Sequence, residues 1–219
     1  MKKEVLRALT EKYGKRYSDL FHINLREEPF KWFLLATLFG ARISENIALR
    51  TYKMFETYNV ASPERIIEEG WDSLVAILDS GGYTRYDFKT ADKLLELARN
   101  LSKENLNEIH RNAKDFKDLV LRLKSLAKGI GDTTVGIFLR EIIGIWDKAR
   151  PYPTPLARLA AKNLGIGDVE DYWKENLEDL DYAKFESMLA KIGKLCRRGK
   201  CSHCPAREIC ENRFSKGVK

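Results

Sequence analysis

LKSLAKGIGDTTVGIFLREIIG, residues 123–144, reads as the end of one helix, a glycine turn and most of a second helix. Over 115–127, Phe116, Leu119, Val120, Leu123 and Ala127 recur at three- and four-residue steps. Val135, Phe138, Leu139 and Ile142 do the same over 133–145. Between them lies Lys128-Gly129-Ile130-Gly131-Asp132-Thr133-Thr134. Two glycines let the backbone turn tightly and approach another molecule, Ile130 anchors the turn in the core, and the start of the next helix offers unsatisfied N–H groups. Such a turn suits a phosphate group, with Arg122, Lys124 and Lys128 adding positive charge nearby. A plain helix C-cap followed by an Asp or Thr N-cap accounts for the same residues. Gly165-Ile166-Gly167-Asp168 repeats the pattern with shorter, less basic flanks, and reads as a turn.

Outward from this hairpin the periodicity stays helical. Residues 30–41, FKWFLLATLFGA, are apolar nearly all round, as for a helix enclosed by others. Ser44 caps a helix carrying Ile47, Ala48, Tyr52 and Phe55. Ser62-Pro63 opens another, which Gly70 ends, and a short one follows over 71–79. Ser80-Gly81-Gly82 is a turn before a helix over 87–101, whereas 102–114 is polar and loosely patterned. Helices near 156–164, 169–176 and 181–194 follow the segment Pro151-Tyr152-Pro153-Thr154-Pro155, the best candidate boundary. Nothing alternates with period two, so the fold class is all-α.

With 44% apolar residues, 219 residues can fill one large core or two small ones. Lys and Arg outnumber Asp and Glu by 39 to 32, a net charge of +7 that mildly favours a polyanionic partner. The amino-terminal residues lack the apolar core of a signal peptide, and the longest apolar run, Trp32 to Gly40, is too short to span a membrane. The expectation is a cytoplasmic, monomeric protein in a reducing compartment. There, clustered cysteines are metal ligands more often than disulfides. All four cysteines, Cys196, Cys201, Cys204 and Cys210, fall within CRRGKCSHCPAREIC at spacing C-x4-C-x2-C-x5-C. Four thiolates suit tetrahedral zinc or an iron-sulfur cube equally well. His203 can replace a cysteine in a zinc site, but four cysteines complete either set and leave it a surface residue.

FLLATLFGARIS, then GGYTRYDFKTADKLLELA, then the hairpin, then four cysteines at the carboxyl end: in this order the chain resembles the endonuclease III branch of the helix-hairpin-helix DNA glycosylases, over roughly residues 28–213. The resemblance implies a two-domain fold. Residues 27–146 would form a helical domain containing the hairpin, and 1–26 with 147–219 a second domain carrying the cysteine loop. It implies a partner, duplex DNA with a damaged or modified base flipped into a cleft between the domains, and a cofactor, a 4Fe-4S cluster on Cys196, Cys201, Cys204 and Cys210. By the same resemblance Lys128, Gly129, Ile130, Gly131, Thr133 and Thr134 hold a DNA phosphate. Arg42 stands where the family commonly has a glutamine that fills the gap left by the flipped base; an arginine satisfying helix-end carbonyls is the alternative. Arg197, Arg198 and Lys200 would lie on DNA phosphates or form a solvated basic loop. The family has six residues between its first two cysteines, and this chain has four.

Two departures bear on chemistry. The family's Schiff-base lysine lies two residues after the second hairpin glycine, a position held here by Thr133. Its aspartate, five residues before an arginine matched by Arg158, falls at Pro153. A Schiff-base lyase is therefore not expected. One reading is a monofunctional DNA N-glycosylase in which another carboxylate, Asp147 first and Asp132 second, stabilises the charge that builds on the sugar. Both residues also read as helix caps or solvated charges. In another, a cationic base needs less help and an aromatic pocket from Trp32, Tyr83, Tyr86, Trp146 and Tyr152 suffices, although core packing explains most of these equally. A third reading is a non-catalytic damaged-DNA-binding protein. A fourth is a metal-stabilised protein-interaction scaffold.

Overall fold

The computed structural model describes residues 2–214. In chain order its helices are α1 (Lys2–Tyr13), α2 (Tyr17–Leu20), α3 (Pro29–Phe39), α4 (Glu45–Thr57), α5 (Pro63–Ser80) and α6 (Asp87–Leu101). Then come α7 (Leu106–Asn112), α8 (Phe116–Ser125), α9 (Asp132–Ile142), α10 (Pro155–Leu164), α11 (Val169–Asn176) and α12 (Tyr182–Arg197), followed by short 3-10 turns from Cys201 onward. No strand occurs among the described residues, so the protein is all-α. Among the described residues no helix is long and apolar enough to cross a membrane.

The chain divides into two compact units, residues 21–150 and residues 1–20 with 151–219. The boundary residues are assigned by their bonds. Asp147 is hydrogen-bonded to His110, Lys148 Nζ donates to the carbonyls of His110 and Arg111, and Arg150 Nη1 donates to the Asp147 carbonyl. Residues 147–150 thus belong with the hairpin unit, whereas the resemblance divides the chain after residue 146.

Unit 21–150 is built around α3. Trp32 through Leu38 are all buried, which explains why the helix carries no polar face. It packs on α4 and α9, with Phe33 and Phe138 edge-to-face at 4.8 Å. A β-carbon at Gly40 would collide with the Thr134 hydroxyl, so glycine permits the close approach of the chain after α3 to α9. The break expected at Gly70 is a kink inside α5, where the backbone turns to φ 73°, ψ −178°. The polar, loosely patterned stretch 102–114 contains α7. Asn105 accepts the Glu108 N–H and Glu108 accepts the Asn105 N–H, a reciprocal capping box that nucleates a helix with only two buried side chains, Leu106 and Ile109.

In the other unit α12 packs on α10 and α1. Gly193 admits the Leu156 carbonyl where any side chain would block it. Glu186, fully buried, accepts from the Thr154 N–H at 2.9 Å and the Thr154 hydroxyl at 2.6 Å. Thr154 in turn caps α10 through the Ala157 N–H. This carboxyl group therefore sits directly at the positive end of the α10 dipole. Arg16 and Asp181 join at 2.8 Å, fastening the chain after α1 to the start of α12.

Candidate nucleic-acid interface and cysteine loop

The hairpin forms as its residue types require. Gly129 has φ 90°, a conformation glycine adopts freely, and Ile130 is buried, its N–H donating to the Ala127 carbonyl at 3.0 Å. Gly131 is the N-cap of α9 and offers no side chain to its first amides. A β-carbon at Gly131 would meet nothing within 4 Å, so the approach to this end of α9 is open. Thr134 is buried against Gly40, while Thr133 is half-buried on the first turn. The cations differ in availability. Arg122 is paired with Asp118 at 3.0 Å and Lys124 with Asp132 at 2.9 Å. Lys128 is exposed, and its backbone N–H donates to Glu96 Oε2 on α6 at 2.9 Å.

The two candidate carboxylates occupy different settings. Asp132 opens α9, where negative charge is stabilised by the helix dipole, and Lys124 offsets that charge. The Asp147 side chain is 80% exposed and lies 2.6 Å from His110 Nε2. Its hydrogen bond to His110 holds its carboxyl below the usual range. His110 stacks on Trp146 with centroids 4.7 Å apart and planes within 5°. Sequence reasoning passes over His110 because it lies in the loosely patterned stretch 102–114. Pro153, at the position of the family's aspartate, lines a cleft of about 510 Å³ with Arg158, Lys162 and Asp168. Asp168 Oδ1 accepts the N–H groups of Glu170 and Asp171, capping α11, so the second glycine copy is the turn expected.

Three of the five aromatics proposed for a pocket, Trp32, Tyr83 and Trp146, are buried. Trp32 and Tyr83 are 0% and 1% exposed, and their polar atoms donate to the Phe138 and Leu38 carbonyls. Both are core residues with no face for a ligand. Trp146 is buried against Phe138 and His110, and Nε1 donates to Asn107 Oδ1. Tyr86 and Tyr152 are half-buried and face the guanidinium groups of Arg85 and Arg158, at 5.3 and 5.7 Å. Arg42 is exposed between α3 and α4, and no hydrogen bond ties its guanidinium to the α3 carbonyls.

The cysteine loop begins in the last turn of α12, where Cys196 sits, and continues through two 3-10 turns to Cys210. Its apolar anchors are few, Ala206 and Ile209. Polar stitches add to them: Lys2 to Glu211 at 2.6 Å, Asn212 to Asn163 at 3.1 Å and Cys210 Sγ to the Asn163 carbonyl at 3.4 Å. Arg197, the last residue of α12, and Arg198 and Lys200 just after it are exposed. All four thiols are free. Burial pushes the Cys204 thiol up, and Cys196, Cys210 and Cys201 push it in the same direction. Among the described residues no three His, Cys, Asp or Glu side chains are arranged to hold a single metal ion. A tetrahedral zinc site draws its sulfurs to about 3.8 Å from one another, given a Zn–S bond of about 2.3 Å. A cube places each sulfur on a different iron and tolerates a looser set. Four thiols are the donor set that either group requires, and Cys196, Cys201, Cys204 and Cys210 are the residues that would hold it. His203 is exposed and its ring bonds Ser202 at 2.9 Å.

No protein-family model matches this sequence, and no curated protein matches it.

Proposed function

We propose that this protein binds duplex DNA through the Gly129–Gly131 hairpin and acts as a monofunctional DNA N-glycosylase on a damaged or modified base. The observation that carries the reading is the hairpin itself: a buried Ile130, a left-handed Gly129 and a Gly131 with open space around it, leading into a helix start. The exposed Arg42, Arg197, Arg198 and Lys200 add cations suited to a phosphate backbone. Cys196, Cys201, Cys204 and Cys210 would hold a 4Fe-4S cluster, which would staple the sparsely packed basic loop. Thr133 and Pro153 supply neither amine nor carboxylate, so strand cleavage through a Schiff base is outside the reading. Asp147, whose carboxyl the hydrogen bond to His110 holds below its usual range, is the carboxylate assigned to the sugar's developing charge.

A second reading, recognition of damaged DNA without excision, draws on the pairing of both candidate carboxylates with cationic or imidazole partners. Single-turnover base release, measured against duplexes each carrying one lesion, tests the first reading directly. Release from one lesion supports it. Tight binding to a lesion with no release from any supports the second, and no salt-dependent duplex affinity at all sinks both.

A further inference from the structure

We propose that Lys93, in the middle of α6, is a phosphate-contacting residue of the hairpin, an inference that rests on the DNA-binding reading above. Its side chain lies against the turn. A β-carbon added at Gly129 would come 3.1 Å from Lys93 Cε and 3.5 Å from Nζ, so the glycine leaves the amine uncovered where a larger residue would press on it. Helix α6 is also bonded to the turn: one turn further along, Glu96 Oε2 holds the Lys128 N–H at 2.9 Å. Lys93 therefore keeps a fixed place beside the loop.

Its ammonium differs from the other hairpin cations. Arg122 and Lys124 are engaged by Asp118 and Asp132. Lys93 makes no hydrogen bond or ion pair among the described residues. Burial pushes its pKa down, and no neighbouring carboxylate opposes that shift. A half-buried ammonium without a counter-charge is unfavourable in the free protein. A bound anion relieves it, and the anion this turn is built to approach is a backbone phosphate. If Lys93 served packing alone, its amine would add desolvation cost and nothing else, and an unbranched apolar side chain would fill the place better.

The test compares the salt dependence of duplex binding for the parent protein, Lys93→Met, Lys93→Arg and Gly131→Asp. Loss of one phosphate contact makes the slope of log affinity against log salt shallower by about 0.9. The proposal expects that change in Lys93→Met, with weaker binding at low salt and near-parental slope in Lys93→Arg. Urea melts establish that each variant is folded, and Lys93→Gln repeats the measurement if methionine disturbs α6. Parental affinity and slope in the neutral variants, with Gly131→Asp impaired, would overturn the role of Lys93 and leave the hairpin reading standing. An equal loss of affinity at every salt concentration with the slope unchanged would also overturn it, since that marks a packing effect. A parent without salt-dependent affinity removes both proposals together.

Discussion

His110 Nε2 stands 2.6 Å from Asp147 Oδ1, and the same imidazole lies flat on Trp146, its ring 4.7 Å away. An ionised carboxylate can only accept, so Nε2 carries the proton in this contact. The pair ties the segment after α9 to α7, and it depresses the Asp147 pKa. A group with a depressed folded pKa adds stability above its unfolded value, about 3.9 for Asp, and loses it as pH falls through the folded value. Asp147→Asn should therefore melt below the parent at pH 6 to 7, roughly the plateau of that contribution. The gap should close as the pH is lowered from about 4 toward 2. A gap independent of pH over that range would show that the hydrogen bond, not the charge, is what His110 reads.

For catalysis the same substitution has a different readout. Asp147→Asn keeps shape and removes charge, so single-turnover excision should fall by about tenfold or more while duplex affinity stays unchanged. Equal rates would pass the role to Asp132 or to a base that carries its own positive charge. Borohydride should trap no covalent adduct on DNA containing an abasic site, because Thr133 has no amine to form one. An adduct would refute the monofunctional assignment.

The two hairpin glycines should respond oppositely to alanine. Gly129 sits at φ 90° with Lys93 Cε in the way, so Gly129→Ala should cost about 1–3 kcal/mol in urea unfolding. Gly131 has φ −123° and open space, so Gly131→Ala should change stability by less than about 0.5 kcal/mol. Comparable losses at both positions would mean that the turn's geometry differs from the one described.

Purified without oxygen, the protein should carry iron and inorganic sulfide in equal amounts, about four of each per chain. Stoichiometric zinc without iron would overturn the cluster. Cys204→Ser should lower the iron content and speed proteolysis within residues 197–212, because Ala206 and Ile209 are the buried apolar side chains there and cannot hold the loop alone.

The helices with strong periodicity are legible from the residues alone: α3 from its continuous apolar run, α8 and α9 from stripes meeting at Gly129 and Gly131, α10 from Thr154-Pro155. Helix α7 is not, because it buries two side chains and owes its start to a cap. The Asn105…Glu108 spacing is the signal that finds it. At the site, the glycine turn and the cysteine spacing are local in sequence and so readable. Lys93 is 36 residues from Gly129, and His110 is 37 from Asp147. Their importance arises only when separate helices are packed, which no local pattern encodes. Trp32 and Tyr83 show the converse: an aromatic side chain suits a base pocket and a core equally, and burial decides.

Because one unit is assembled from residues before 21 and after 150, α1 must wait during synthesis for α10 and α12, its packing partner. The 130 intervening residues of the other unit take roughly 7–26 s to make at about 5–20 residues per second. Throughout that interval Leu6 and Leu9 of α1, buried in the finished protein, have no partner helix to cover them. The hairpin unit can complete its own fold first. The cysteine loop leaves the ribosome after residues 21–150, so any group its thiols acquire comes after the hairpin unit has been made.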